Sequence, residues 1–158
     1  MAEVVSENET FIAERPLPSE TGTHFAVSED GPSATVTNED YVGAMVRFSN
    51  GARGTLEVCR VIGGSDCEHT FELNGTSGSA RWSFERMNEL ELFLDDQAET
   101  RPGYARIQSR PGFPRHGDFN PGGAVGLGYE DLMTIEVHEF LQGVVSGVQV
   151  EPGFDHIA

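Results

Sequence analysis

Apolar and polar positions alternate from Tyr41 to Phe48. Val42, Ala44, Val46 and Phe48 fall on one face and Arg47 on the other, the period of a half-covered strand. Asn50-Gly51 follows, the strongest short-range hairpin signal in the chain. The return strand runs from about Ala52 to Val61, with Leu56 and Val58 on one face and Glu57 and Cys59 on the other. Gly63-Gly64-Ser65-Asp66 forms the next turn. Glu68 to Asn74 then alternates His69, Phe71 and Leu73 against Glu68, Thr70 and Glu72. Gly75-Thr76-Ser77-Gly78 leads into a fourth strand carrying Ala80, Trp82 and Phe84, and Leu90, Leu92 and Leu94 mark a fifth from Glu89 to Leu94. Short links between strands predict an antiparallel meander with one apolar face, and such a face needs a cover.

The cover predicted by the pattern is a helix from about Glu130 to Val145. Met133, Val137, Phe140, Leu141 and Val144 recur at spacings of three and four, while Glu130, Thr134, His138 and Gln142 fall largely opposite. Acidic residues in the first turn suit the helix dipole, and Gly147 stands where a C-terminal cap glycine belongs. The expected class is α+β, a mostly antiparallel open sheet of about five or six strands with a helix packed on one face. Two stretches resist this pattern. Residues 1–37 hold a short apolar patch at Phe11-Ile12-Ala13, then Pro16, Pro18 and a Gly-, Ser-, Thr- and acid-rich run. They read as an irregular or partner-dependent N-terminal segment ahead of a domain over 38–158. Glu99 to Gly128, rich in Pro, Gly and Arg, reads as a long irregular loop, functional or disordered.

Composition narrows the partners. A chain of 158 residues fits one domain and buries a core without metal or disulfide help. Twenty-six acidic residues face ten cations, all of them arginine, for a net charge of −16. That balance argues against nucleic acid and against anionic membranes. With no lysine, the chain houses no lysine base or Schiff base of its own. Cys59 and Cys67 make no disulfide framework and read as buried free thiols in a reducing compartment. Without a signal peptide or an apolar run of about 18 residues, the expected location is the cytoplasm.

Motifs for chemistry are sparse. The glycines at 122, 123, 126 and 128 form neither a dinucleotide fingerprint nor a phosphate loop. Glu136-Val137-His138-Glu139 is not the zinc-protease motif, and His24, His69, His116 and His156 are scattered, so no metal site is expected. The acidic residues single out no glycosidase pair. His116 stands out, in the loop Arg110-Pro111-Gly112-Phe113-Pro114-Arg115-His116, where cations gather in an acidic protein. The loop reads either as a lid that binds an anion or hydroxyl, or as arginines paired with nearby carboxylates.

Several segments together resemble a known family. Asn38-Glu39-Asp40-Tyr41 with Val46 through Glu57, and Phe71 through Trp82, resemble the C-terminal domain of the Gfo/Idh/MocA oxidoreductases (glucose-fructose oxidoreductase, inositol dehydrogenase and rhizopine catabolism), and Phe84 through Leu90 and Gly126 through Asp131 continue the resemblance, in order and spacing, to its inositol-dehydrogenase-like branch. The resemblance covers roughly residues 36–158. It implies a parent enzyme with an N-terminal Rossmann domain for NAD or NADP and a C-terminal sheet, one side of which helps form the substrate cleft while the outer face builds a homodimer or higher homo-oligomer. It further implies hydride transfer from a sugar or polyol carbon as a base takes the hydroxyl proton. This sequence departs from the pattern in lacking the Rossmann fingerprint, the Glu-Lys-Pro segment with the catalytic lysine, and the helix with a spaced Asp and His. The expectation is therefore a truncated part of a longer enzyme, with no coenzyme-binding residues and no catalytic residues in this chain. Arg60, His116 and Tyr129 are the substrate-binding candidates. Tyr41, Glu57 and Arg81 are expected on the outer sheet face, with Phe93 and Trp82 hidden in the same interface. The competing reading is a free-standing noncatalytic domain, dimeric and structural, or a sugar-binding module.

Overall fold

The computed structural model describes residues 2–17 and 31–151. Pro18, the polar run after it up to residue 30, His24 and His156 lie outside the described residues. The chain divides into two units, Met1–Ser65 and Asp66–Ala158.

The first unit is built on a three-stranded antiparallel sheet of β1 (Glu3–Glu9), β4 (Tyr41–Arg47) and β5 (Arg53–Cys59), with β4 central. A ribbon of β2 (Glu14–Pro16) and β3 (Ser33–Thr35) accompanies it. The expected hairpin forms at Asn50-Gly51: Gly51 takes φ 91°, and the Asn50 side chain accepts from the Ala52 N–H at 3.1 Å. Register pairs Val42 with Val58 and Ala44 with Leu56, so the apolar set shares a face as the alternation predicts. The expectation of an irregular N-terminal segment is corrected at β1, which pairs with β4 along its whole length, Glu3 with Arg47 through Glu9 with Tyr41.

One buried charge fastens this unit. Asp40 is 2% exposed. Its carboxylate accepts the Ile12 N–H at 2.8 Å and pairs with Arg15 at 2.5 Å and Arg60 at 3.2 Å. The backbone donor at Ile12, followed by the two guanidinium groups, holds its carboxyl below the ordinary carboxylate range. Because the folded-state pKa is depressed, this stabilisation is complete above the ordinary value of 3.8 and is lost as pH falls through the lower folded value. Asp40→Asn is therefore expected to lower the urea midpoint at pH 7 and to flatten its dependence on pH in the acid limb. An unchanged acid limb in the variant would contradict the role given to Asp40.

The second unit carries a four-stranded antiparallel sheet in the order β6 (Thr70–Asn74), β7 (Gly78–Ser83), β8 (Glu89–Leu94), β9 (Ala105–Gln108). The single meander expected from the pattern is thus divided into separate sheets. Residues 60–69 form no strand, and Gly64 at φ 100° provides a backbone state that lets the chain leave one sheet before starting the next. Register sets Phe71, Leu73, Ala80, Trp82, Leu90, Leu92 and Ile107 on one face. Phe93 lies with Arg81 on the opposite face, which corrects the expectation that Phe93 and Trp82 hide together. On that polar face Arg81 pairs with Glu72 at 3.0 Å and stands 4.3 Å over the Tyr104 ring.

The expected helix is α2 (Tyr129–Ser146), closed by Gly147 at φ 68° as the cap glycine. Tyr129 in its first turn meets Phe84 edge-on at 6.4 Å, just beyond β7. The stripe of Met133, Val137, Phe140, Leu141 and Val144 remains exposed. The stretch from Glu99 to Gly128, expected to be irregular, contains both β9 and a short helix, α1 (His116–Phe119). Cys59 and Cys67 are free thiols as expected, but Cys59 is half-buried and Cys67 exposed. No helix among the described residues is long and apolar enough to cross a membrane.

Candidate functional site

In the second unit the best-buried residues are Ser109, Asn120 and Leu127, at the ends of loops rather than on the sheet. Asn88 explains their arrangement. Its carboxamide imitates a strand partner: Nδ2 donates to the Leu127 carbonyl at 2.9 Å, and Oδ1 accepts the Leu127 N–H at 2.7 Å. The Asn88 carbonyl also accepts the Ser109 N–H at 2.8 Å. One residue ahead of β8 therefore ties together the end of β9 and the approach to α2. The Gly126 Cα lies directly under that carboxamide, where a Cβ would overlap it.

Against this clip, the Ser109 hydroxyl and His116 Nδ1 share a 2.5 Å hydrogen bond, and Phe113 meets the His116 ring edge-on at 5.8 Å. His116 Nε2 has no partner among the described residues. Arg115, at φ 65°, is held by Asp118 at 3.8 Å and by a hydrogen bond to Glu139 on α2. Asn88, Glu89, Gln108, Ser109, Ala124 and Gly126 surround a pocket of about 190 Å³. Its carboxylate, Glu89, sits below the ordinary range, first because Arg86 donates to it and then because Arg106 lies nearby.

Arg60, His116 and Tyr129 are held by separate sets of partners. Arg60 belongs to the first unit and pairs with Asp40. His116 joins the Ser109 cluster, and Tyr129 stands 57% exposed beside Phe84. For the loop arginines, pairing with carboxylates describes Arg115, whereas Arg110 has no carboxylate partner among the described residues. Sequence reading missed Asn88 and Ser109, since an Asn before one strand and a Ser after another carry no local signal of a shared contact.

The described residues do not suit a dinucleotide. Every described strand pair is antiparallel, whereas the dinucleotide crevice needs a parallel β-α-β unit. The start of α2 is also taken by acid: Asp131 accepts the Gly128 N–H at 2.8 Å, with Glu130 beside it, where a pyrophosphate would meet repulsion. Among the described residues no group of three or more His, Cys, Asp or Glu is placed to hold a metal ion.

Comparison with known proteins gives a consistent picture. Residues 7–108 match the model of the oxidoreductase family, C-terminal alpha/beta domain, of the Gfo/Idh/MocA group. A levoglucosan dehydrogenase from Pseudarthrobacter phenanthrenivorans is 36% identical over 148 residues, 92% of this chain and 38% of that enzyme. The solved structure of a levoglucosan dehydrogenase in complex with NADH and L-sorbose superposes with a TM-score of 0.83 at 34% identity, covering 96% of this chain and 38% of that one. An oxidoreductase domain protein from Kribbella flavida superposes at 0.81 with 29% identity, over 97% of this chain and 39% of its own. The chain thus spans well under half the length of each of these relatives.

Proposed function

The chain belongs to the Gfo/Idh/MocA oxidoreductase family as its C-terminal alpha/beta domain, and from that premise we propose that it is the substrate-binding and oligomerisation part of an NAD(P)-dependent sugar or polyol oxidoreductase, inactive in isolation. The observation that carries this reading is the shared fold with a sugar dehydrogenase solved with NADH and a sugar. When bound by the rest of such an enzyme, the nicotinamide supplies the hydride acceptor. In the second unit the residues proposed to orient substrate are His116, through its free Nε2, and Tyr129, through its exposed phenol; in the first unit, taken by itself, the candidate is Arg60, through the guanidinium nitrogens left over from Asp40. The location we propose is the cytoplasm.

A second copy of this chain is the proposed partner of the sheet. Phe71, Leu73 and Leu94 lie on one face of the β6–β9 sheet and remain exposed, as an interface core does before assembly. The alternative in the second unit is the polar face with Arg81, and in the first unit, taken by itself, the sheet face with Tyr41 and Glu57.

The purified 158-residue chain, incubated with NAD or NADP and a panel of sugars and polyols, is expected to produce no reduced nicotinamide, because it has no lysine and its described residues form no dinucleotide crevice. The same preparation is expected to sediment as a dimer or larger species. Turnover by the chain alone would refute inactivity in isolation, and a monomer at micromolar concentration would remove the oligomerisation half of the proposal.

A further inference from the structure

In the first unit β5 is an outer strand of its sheet, and no strand among the described residues pairs with its far edge. We infer that this edge pairs antiparallel with the same edge of a second copy of the chain, about a two-fold axis through Thr55. The contact runs along a strand edge, whereas the interface proposed for the enzyme uses sheet faces, and it does not rest on that proposal.

The backbone hydrogen bonds decide which groups are available. At the two ends of the β4–β5 ladder the Phe48 N–H donates to the Ala52 carbonyl and the Arg60 N–H donates to the Asp40 carbonyl. Residues of an antiparallel pair bond their partner strand at every second position. Even-numbered residues of β5 therefore face β4, and Arg53, Thr55, Glu57 and Cys59 direct their N–H and C=O groups outward. Register is unbroken from Arg53 to Cys59, and the strand holds no proline, lysine or bulge, the devices that commonly blunt an edge.

Charge selects the partner and the register. Each copy carries a net charge of −16, so two copies associate only where a local arrangement reverses the sign of the interaction. On β1, at the opposite edge of this sheet, Glu3, Glu7 and Glu9 would set acid against acid in a pair with its own copy. On β5 the signs are mixed. Arg53 and Glu57 lie exposed on one face of the strand, and neither has an ion-pair partner among the described residues. With Thr55 on the axis, Arg53 of each copy stands opposite Glu57 of the other, which makes two pairs of opposite charge. The same register sets Leu56, 55% exposed, opposite Gly54 of the second copy, where the missing side chain leaves room for it. That position carries no cross-axis hydrogen bond, and there the two backbones come closest. A register with Leu56 on the axis instead sets Arg53 opposite Cys59 and Glu57 opposite Thr55, and forfeits both ion pairs. The product is one continuous antiparallel sheet with the order β1-β4-β5 from each copy, joined by a self-complementary two-fold contact.

Amide hydrogen exchange of the 158-residue chain, read by NMR at low and high protein concentration, tests this. Exchange at Arg53, Thr55 and Glu57 is expected to slow as concentration rises. Gly54, Leu56 and Val58, already bonded to β4, stay slow at both concentrations, and Cys59, left unpaired in this register, stays fast. Packing through a sheet face gives association without that alternation; such a result would overturn the edge contact and leave the face interface standing. Concentration-dependent protection that extends to Cys59 would contradict the register. Charge reversal supplies an independent readout. Arg53→Glu and Glu57→Arg each turn both cross-axis pairs into like-charge pairs and are expected to weaken the pairing roughly 10- to 30-fold, read as the concentration at which protection appears. Mixed together, the two variants regain opposite charge at both pairs, and protection is expected to return near the parental concentration. Misfolded variants would not rescue one another. Pairing unaltered in both single variants, or no rescue in the mixture, would overturn the inference.

Discussion

Trp82→Ala is expected to destabilise the Asp66–Ala158 unit by about 2 to 3 kcal/mol, the low part of the range for aromatic truncation because the ring is only half-buried. The side chain gathers most of the aromatic contact on the apolar face of its sheet. Phe71 stacks on it at 5.7 Å with 25° between planes, and His69 and Phe84 meet it edge-on at 6.2 and 6.1 Å. The indole N–H donates to the Met87 carbonyl at 3.0 Å and so fixes the turn between β7 and β8. Trp82→Phe keeps the stack and gives up that bond, for an expected cost nearer 1 kcal/mol. Urea unfolding followed by circular dichroism separates the two, since Trp82 is the chain's one tryptophan and its fluorescence leaves with it. A loss below about 0.5 kcal/mol for the alanine variant, the range of an ordinary surface change, would show that the ring cluster does not hold this sheet.

Gly126→Ala is expected to cost about 2 kcal/mol, and the reason is specific to one neighbour. The new methyl occupies the space of the Asn88 carboxamide, which must rotate away and abandon both bonds to Leu127, one of the few buried residues in this unit. Asn88→Ala removes the same two bonds and is expected to cost a similar amount. In the Asn88→Ala background the methyl at Gly126 has room, so the double variant should be about as stable as either single one. Strong non-additivity of this kind isolates the clip from general effects of losing a glycine. Gly123→Ala, with nothing near its added carbon, is the control and should fall within about 0.5 kcal/mol of the parent. Additive losses in the double variant would mean that Asn88 and Gly126 act independently, and the clip would then be wrong.

The parts of the fold that were legible in the sequence are those whose stability is written locally. β4 to β8 announce themselves because one face is apolar and turns of Asn-Gly or Gly-rich type separate them. α2 is legible from three- and four-residue spacing, and Gly147 marks its end where the left-handed cap occurs. β1 was not legible. Glu3-Val-Val-Ser-Glu-Asn-Glu has no alternation to read, and it is a strand only because β4, more than thirty residues later, offers an open edge. β9 and α1 were hidden for a related reason, being short elements among prolines and glycines whose order comes from β8 and from the Ser109–His116 bond. The sequence singled out His116, but not Ser109 or Asn88, because contacts across 7 and 39 residues leave no trace in local pattern.

The family resemblance was carried by the order of loose motifs, and the family model matches within residues 7–108. That match begins well before Asn38, over a segment whose strands only the structure reveals. The division of the expected meander into separate sheets and the opposite faces of Trp82 and Phe93 both follow from register, and a register is fixed by which edges meet.

The central claim is that this chain supplies the substrate side of a nicotinamide-dependent sugar or polyol oxidoreductase and depends on a coenzyme-binding half for chemistry. The most direct test reads the gene upstream of residue 1 and assays the polypeptide of the whole reading frame beside the 158-residue chain for polyol-dependent reduction of NAD and NADP. An in-frame dinucleotide-binding region with a lysine, and turnover by the longer polypeptide alone, is the expected result. A stop codon immediately upstream, or turnover by the 158-residue chain unaided, would contradict it.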